Sequence, residues 1–208
     1  PASERLYGLI GRLTRQGGLR TLRRHGHGKL LPPREVADYL GKRVATASAK
    51  VELAPEEFIT LCDKLDGDYQ REIQQRGCLK IISKRERFSH NSWTHNDSIY
   101  IKGKRDTNYI FLHPLDAAAN HIADGDPVEV STVHGAIIVP AAVTEDMMPG
   151  AAALPHGWGH QQADGLSIAS TTRGANVNIL ASDGPQSLEP ISGMSPLNGI
   201  VVTIRPAL

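Results

Sequence analysis

The chain has 208 residues, 40% of them apolar and 22% charged, with 23 basic residues against 22 acidic. That is an ordinary globular make-up, long enough for one large domain or a domain with an appendage. The balanced charge gives no global field for nucleic acid, no apolar run approaches the roughly 20 residues of a membrane helix, and two cysteines are too few for a disulfide framework.

Leu6, Leu9, Ile10 and Leu13 fall at helical spacing and predict a helix ending near Gly17–Gly18. Five arginines follow between Arg12 and Arg24, then His25 and His27, a run read as a solvated linker face. Residues 1–50 are expected to form a helical lead-in, the tail of a preceding domain, and 51–208 the main domain. Pro55 opens a second predicted helix whose buried stripe is Phe58, Leu61, Cys62 and Leu65, with Gly67 to stop it. Cys62 then reads as a small core hydrophobe, and the cysteine usage suits a reducing, cytoplasmic interior.

After residue 78 the pattern turns to strands. Leu79–Ser83 and Tyr109–His113 are the first two, and Pro114 starts a short helix closed by Asp124–Asp126. Val128–Val133 and Ala136–Val139 make a hairpin across His134–Gly135. Val177–Leu180 and Gly199–Ile204 supply the last two expected strands. Short strands with one small helix, set among 20 glycines and 13 prolines, predict a mainly β fold with α decoration, closed into a barrel.

Three polar loops interrupt these strands: Lys84–Asn96, Leu154–His160 and Arg173–Asn178. Their amides, imidazoles, indoles and cations are the inventory that a nitrogen-rich heterocycle linked to phosphates requires. His90, His95, His156 and His160 could on spacing be two halves of a zinc site. No thiolate lies near them, however, so histidines bonded to backbone or ligand are the preferred reading and no metal ligand is assigned. No GxSxG elbow occurs, and the glycines of 150–159 do not follow the dinucleotide fingerprint of a strand-turn-helix unit.

Taken in order, SAKVELAP (48–55), IISKRERFSHNSWTHN (81–96), the run from Leu112 to His160 ending in PHGWGH, GANVNILASD (174–183) and Pro190–Gly193 resemble the C-terminal region of the molybdopterin oxidoreductases. That superfamily includes formate dehydrogenases, nitrate reductases and dimethyl sulfoxide reductase. The resemblance implies a six-stranded double-psi β-barrel and a molybdenum or tungsten bis-pterin guanine dinucleotide cofactor, capped by the polar loops. It implies cofactor contacts from Ser89, His90, Asn91 and Ser92, continued by Trp93, His95 and Asn96, with Trp93 open between packing and contact. His156 and Trp158 follow from the second loop, and Asn176 and Asn178 from the third. Lys84 stands where the family often has Arg, so a bidentate contact there becomes a point charge. The metal ligand and any iron–sulfur cluster would lie in other domains of the same polypeptide, with electron-transfer subunits as possible further partners. The fragment alone is accordingly expected to be inactive and to hold no cofactor. The alternatives weighed are a stand-alone double-psi barrel acting as a recognition module without cofactor, and a self-processing decarboxylase on a related barrel. The first needs no HNSW-type loop, and the second needs a Gly-Ser cleavage site not found here.

Overall fold

A computed structural model of the chain describes residues 2–33, 35–38, 42–74, 77–103 and 105–207. The chain divides into two compact units, Pro1–Pro55 and Glu56–Leu208. The expected lead-in also takes in residues 1, 34 and 39–41, which lie outside the described residues.

In the first unit, helices α1 (Ala2–Leu13) and α2 (Leu19–Arg23) are joined through Gly17–Gly18 and tied by an Arg23–Glu4 ion pair of 2.9 Å. The predicted apolar face of α1 is there, but Leu6, Leu9, Ile10 and Leu13 are all exposed. The second unit opens with α3 (Glu56–Cys62) and α4 (Leu65–Ile73), neither of which buries a residue. Here the sequence reading is corrected. Phe58 and Leu65 are exposed, Cys62 is an exposed free thiol rather than a core residue, and Gly67 lies inside α4. The break falls instead at Asp63–Lys64, where the Leu61 carbonyl accepts the Lys64 N–H at 3.1 Å. Helical periodicity reports that one face is apolar; it does not report that anything covers it.

The rest is a closed barrel of six strands: β1 (Leu79–Lys84), β2 (Ile110–Leu112), β3 (Pro127–Ser131), β4 (Ala136–Val143), β5 (Ala151–Pro155) and β6 (Ile200–Pro206). Around the barrel the order is β1-β5-β2-β4-β3-β6, with β1/β5 and β2/β4 parallel and the other neighbours antiparallel. Alternating side chains fill the interior, with Leu79 and Ile81 from β1, Ile110 and Leu112 from β2, and Val128 and Val130 from β3. Closure leaves no sheet edge unpaired.

One small helix, α5 (Pro114–Ala119), sits between β2 and β3 as expected. Proline supplies its first turn, and the His113 ring accepts the Leu115 N–H as a cap. The Asp124–Asp126 turn that follows is held from both sides. Asp126 Oδ2 accepts the Ala123 N–H and Asp124 Oδ1 accepts the Val143 N–H, at 2.8 and 2.9 Å.

The number of strands agrees with the sequence reading, but one member differs. Val177–Leu180 is a 3-10 turn, not a strand. Asn176 caps it by accepting the Asn178 N–H at 3.1 Å, and the two residues that turn inward, Val177 and Leu180, are three apart, the 3-10 period. The strand that replaces it is β5, whose last two residues, Leu154 and Pro155, open what read as the second polar loop.

Candidate functional site

The three polar loops meet at one end of the barrel, around an open cleft of about 570 Å³. The second loop threads between the other two, and its glycines allow this. Gly157 has φ +94°, and a Cβ there would stand 2.6 Å from the Asn91 carbonyl oxygen of the first loop. Gly159 has φ +96°, and its Cβ would stand 2.5 Å from Cβ of Asn176 in the third. Both positions combine a left-handed backbone with a contact too close for any side chain.

Strand β1 delivers the floor of the cleft. Ile81, Ser83 and Arg85 all line it, one face of the strand continued past its end at period two. Lys84 points the other way, with its ammonium 3.7 Å from the centroid of the Phe111 ring. Arg85, which the sequence reading did not single out, therefore occupies the cleft, and Lys84 does not. Strand alternation carried one residue further was the signal that would have found it.

A directed chain of hydrogen bonds crosses the cleft. Arg85 Nη1 donates to Asn91 Oδ1 at 2.6 Å, and His156 Nε2 donates to the same oxygen at 2.9 Å. An arginine has no acceptor, so the amide oxygen of Asn91 must face it, which in turn fixes the proton of His156 on Nε2. His156 Nδ1 then accepts from the Ser83 hydroxyl at 3.0 Å. Burial and the nearby Arg85 charge both hold the His156 pKa below the ordinary histidine value, so the ring is neutral at pH 7. Asn91 itself is in a left-handed conformation, φ +53°, held in place by Arg85 and His156 on its side chain and by the Ser89 hydroxyl, which donates to its carbonyl at 2.6 Å. Asn198 was also missed: its Oδ1 accepts the Ser83 N–H at 2.6 Å from the turn before β6.

Of the residues expected to face a ligand, Asn91, Ser92, His156, Trp158, Asn176 and Asn178 line this cleft. Ser89 and His95 line a smaller chamber that shares Trp158 with the cleft. His90 is exposed and its N–H donates to Thr94 Oγ1 at 3.4 Å. Trp93 is 84% exposed, which removes packing as its role among the described residues. Asn96 is turned toward backbone, its Oδ1 accepting the N–H groups of Ile168 and Ala169 at 2.9 and 3.1 Å. The described residues hold no group of three or more His, Cys, Asp or Glu placed to bind a metal ion, nor any helix long and apolar enough to cross a membrane.

The site rests on Asn108, fully buried beneath it. Its amide nitrogen donates to the carbonyls of Pro155 and Ala175 at 2.9 and 3.0 Å, and its Oδ1 accepts the Ala175 N–H at 2.9 Å. One side chain thus pins the second and third loops at their roots. Two residues away, Arg173 grips Asp106 with two bonds of 2.6 and 2.8 Å, which hold the Asp106 carboxyl below the usual carboxylate range.

A closed barrel whose end carries a cleft of amides, imidazoles, hydroxyls and one guanidinium belongs to the class of small-molecule-binding domains; it offers hydrogen-bond donors and acceptors for a polar heterocycle and a cation for an anionic group. Residues 79–201 match the family described as the molydopterin dinucleotide binding domain, and the chain belongs to that family. Among curated relatives, trimethylamine-N-oxide reductase of Haemophilus influenzae is 32% identical over 95 residues, 45% of this chain and 12% of that protein. Dimethyl sulfoxide/trimethylamine N-oxide reductase of Cereibacter sphaeroides is 36% identical over 72 residues, 35% of this chain and 9% of its own length. Biotin sulfoxide reductase of the same organism is 31% identical over 112 residues, 52% and 14% respectively. The chain thus spans a small part of these relatives. A solved structure, acetylene hydratase from Pelobacter acetylenicus, shares the fold with a TM-score of 0.62 at 24% identity, over 86% of this chain and 26% of that one.

Proposed function

We propose that the cleft receives the dinucleotide part of a molybdopterin guanine dinucleotide cofactor, in a bis-pterin arrangement around molybdenum or tungsten. The parent is a larger, cytoplasmic oxidoreductase in which this chain is the capping wall. Its partners are the remaining domains of the same polypeptide, with electron-transfer subunits beyond them. The observation that carries the reading is the convergence of three polar loops on one cleft, within a chain of the dinucleotide-binding family.

The residues present fit the group. Arg85 is a fixed cation for phosphate, with donors left over after its bond to Asn91. The amide nitrogens of Asn91 and Asn178 and the hydroxyls of Ser92 and Ser195 offer further donors, and His156 and the Asn176 backbone complete the walls. When bound, the cofactor supplies the redox metal; the chain's own residues bind, orient and exclude water. With its pKa held below the ordinary histidine value, His156 favours the neutral ring, and Asn91 and Ser83 fix its tautomer and hence the hydrogen-bonding face it presents.

The test is made in the intact parent enzyme. Arg85→Ala and Asn91→Ala should each lower molybdenum or tungsten content and pterin content at limiting cofactor, since losing one hydrogen bond to a charged group weakens affinity roughly tenfold to a hundredfold. Unchanged occupancy with a lower melting temperature would assign both residues to loop structure instead.

A further inference from the structure

A second, smaller chamber of about 80 Å³ shares Trp158 with the cleft. Among its lining groups are Glu86, Ser89, His95, Tyr109 and Trp158. His95 and Trp158 are 1% and 4% exposed, with ring centroids 4.2 Å apart. His95 Nδ1 and Trp158 Nε1 are buried there with no protein group at hydrogen-bonding geometry. Glu86 lies toward the Trp158 indole and the Gly157 carbonyl toward the His95 ring, near enough to shift the titration of Glu86 and His95 by hydrogen bonding but short of the geometry of a well-formed bond. Buried polar atoms of native proteins are rarely left so.

The protons can be assigned. Ser89 has one hydroxyl hydrogen, and the Asn91 carbonyl at 2.6 Å can only accept it. Ser89 Oγ must then accept from His95 Nε2 at 2.9 Å, so the neutral His95 ring carries its proton on Nε2 and leaves a bare lone pair on Nδ1. The Gly157 carbonyl, which accepts from His160 Nε2 at 2.9 Å, brings only lone pairs and so cannot satisfy a bare Nδ1. Between the two unpaired nitrogens the chamber therefore presents the Trp158 indole N–H as donor beside the His95 lone pair and the Glu86 carboxyl, with Tyr100, Arg105, Thr107 and Tyr109 further along its lining. A simple cation has no lone pair for the indole, and a simple anion has no hydrogen for His95. Water has both.

We propose that this chamber is a binding site for an ordered water that accepts from Trp158 Nε1 and donates to His95 Nδ1 and Glu86, bracing the indole that walls the cleft. The space is ample, because on the same measure one water needs roughly 10–15 Å³. Burial pushes the Glu86 carboxyl up and the His95 ring down, which favours the uncharged form of each. Nothing in the proposal depends on what fills the cleft.

The chain has two tryptophans, so its indole N–H spectrum holds two peaks, and the exposed Trp93 is an internal control. In the 15N-labelled chain, Trp158 Hε1 should show a cross-relaxation signal to water with the sign of a long-lived bound molecule, while Trp93 Hε1 shows only exchange with bulk solvent. Long-range proton–nitrogen spectra should place the His95 proton on Nε2. Glu86→Leu, which removes an acceptor and fills the chamber, should abolish the bound-water signal, and Glu86→Gln, which keeps an acceptor, should retain it. A Trp158 signal no different from that of Trp93, a proton on His95 Nδ1, or a bound-water signal that survives Glu86→Leu overturns the proposal. If the Leu variant does not fold, the two wild-type measurements decide alone.

Discussion

Asn108 shows what a single buried side chain contributes. Asn108→Ala would strip partners from two carbonyls and one N–H at a site with no access to solvent. We expect a loss of about 3 kcal/mol in denaturant unfolding of the chain, the order set by leaving buried backbone groups unpaired; a loss below about 1 kcal/mol would mean that water reaches these groups. Gly157→Ala should cost about 2 kcal/mol or more, since the left-handed backbone and the 2.6 Å approach to the Asn91 carbonyl act together. Its check is a fall in melting temperature together with a change in Trp158 fluorescence. Asp106 gives a pH signature. Its carboxyl is depressed by the bonds from Arg173, so the pair stabilises the fold above the unfolded-state carboxylate value and is lost as pH falls through the lower folded value. Arg173 is solvent-exposed, so the effect is small. Asp106→Asn should lower stability slightly at pH 7 and make no difference once the carboxyl is protonated in strong acid, as paired melts across pH would report.

At the level of the element, what the sequence made legible follows from burial on one face or two. Strands β1 and β3 alternate buried and half-buried residues, and the period-two pattern announced them. β5 runs Ala-Ala-Ala-Leu-Pro between two neighbours and is buried almost continuously. It has neither alternation nor the β-branched side chains that mark a strand, so only its tertiary place makes it one. Val177–Leu180 failed in the opposite way, because a short apolar run fits a strand and a 3-10 turn equally until its cap is considered. The polar loops were legible as a set of side chains that a ligand would need, and six of the twelve candidates line one cleft. The sequence alone could not tell which faced inward, and Arg85 and Lys84, adjacent in the chain, went to opposite sides of β1. Helices α3 and α4 bury nothing, which leads to a chemical prediction. Cys62, on an exposed face, should react with a maleimide in the native chain well before the half-buried Cys78. Equal rates, read by mass spectrometry at increasing times, would show that α3 is covered in solution.

For the molecule as a whole, function depends on how little of the cleft this chain can close. Limited proteolysis should respect the division into two units, cutting before residue 56 and sparing the barrel, whose strands have both neighbours paired. Early cuts within 120–145, where β3 and β4 hold each other, would contradict that. The cleft is walled by loops on one end of the barrel, with its polar groups supplied from three segments of the same chain. Tight sites for ligands of this size bury most of the ligand's surface, and a single open wall reaches only part of it. The chain also spans between 9% and 14% of three of its curated relatives, so most of such a protein's contacts would come from elsewhere. The purified 208-residue chain should therefore carry well under one molybdenum or tungsten per molecule and show no reductase turnover, while the cleft residues keep their geometry. Elemental analysis and an activity assay with sulfoxide and N-oxide substrates check the first two. The third is read from the His156 tautomer, whose proton stays on Nε2 as long as Asn91 and Ser83 remain in place. Close to one metal per chain would mean that this wall alone holds the cofactor, and the capping role would have to be given up.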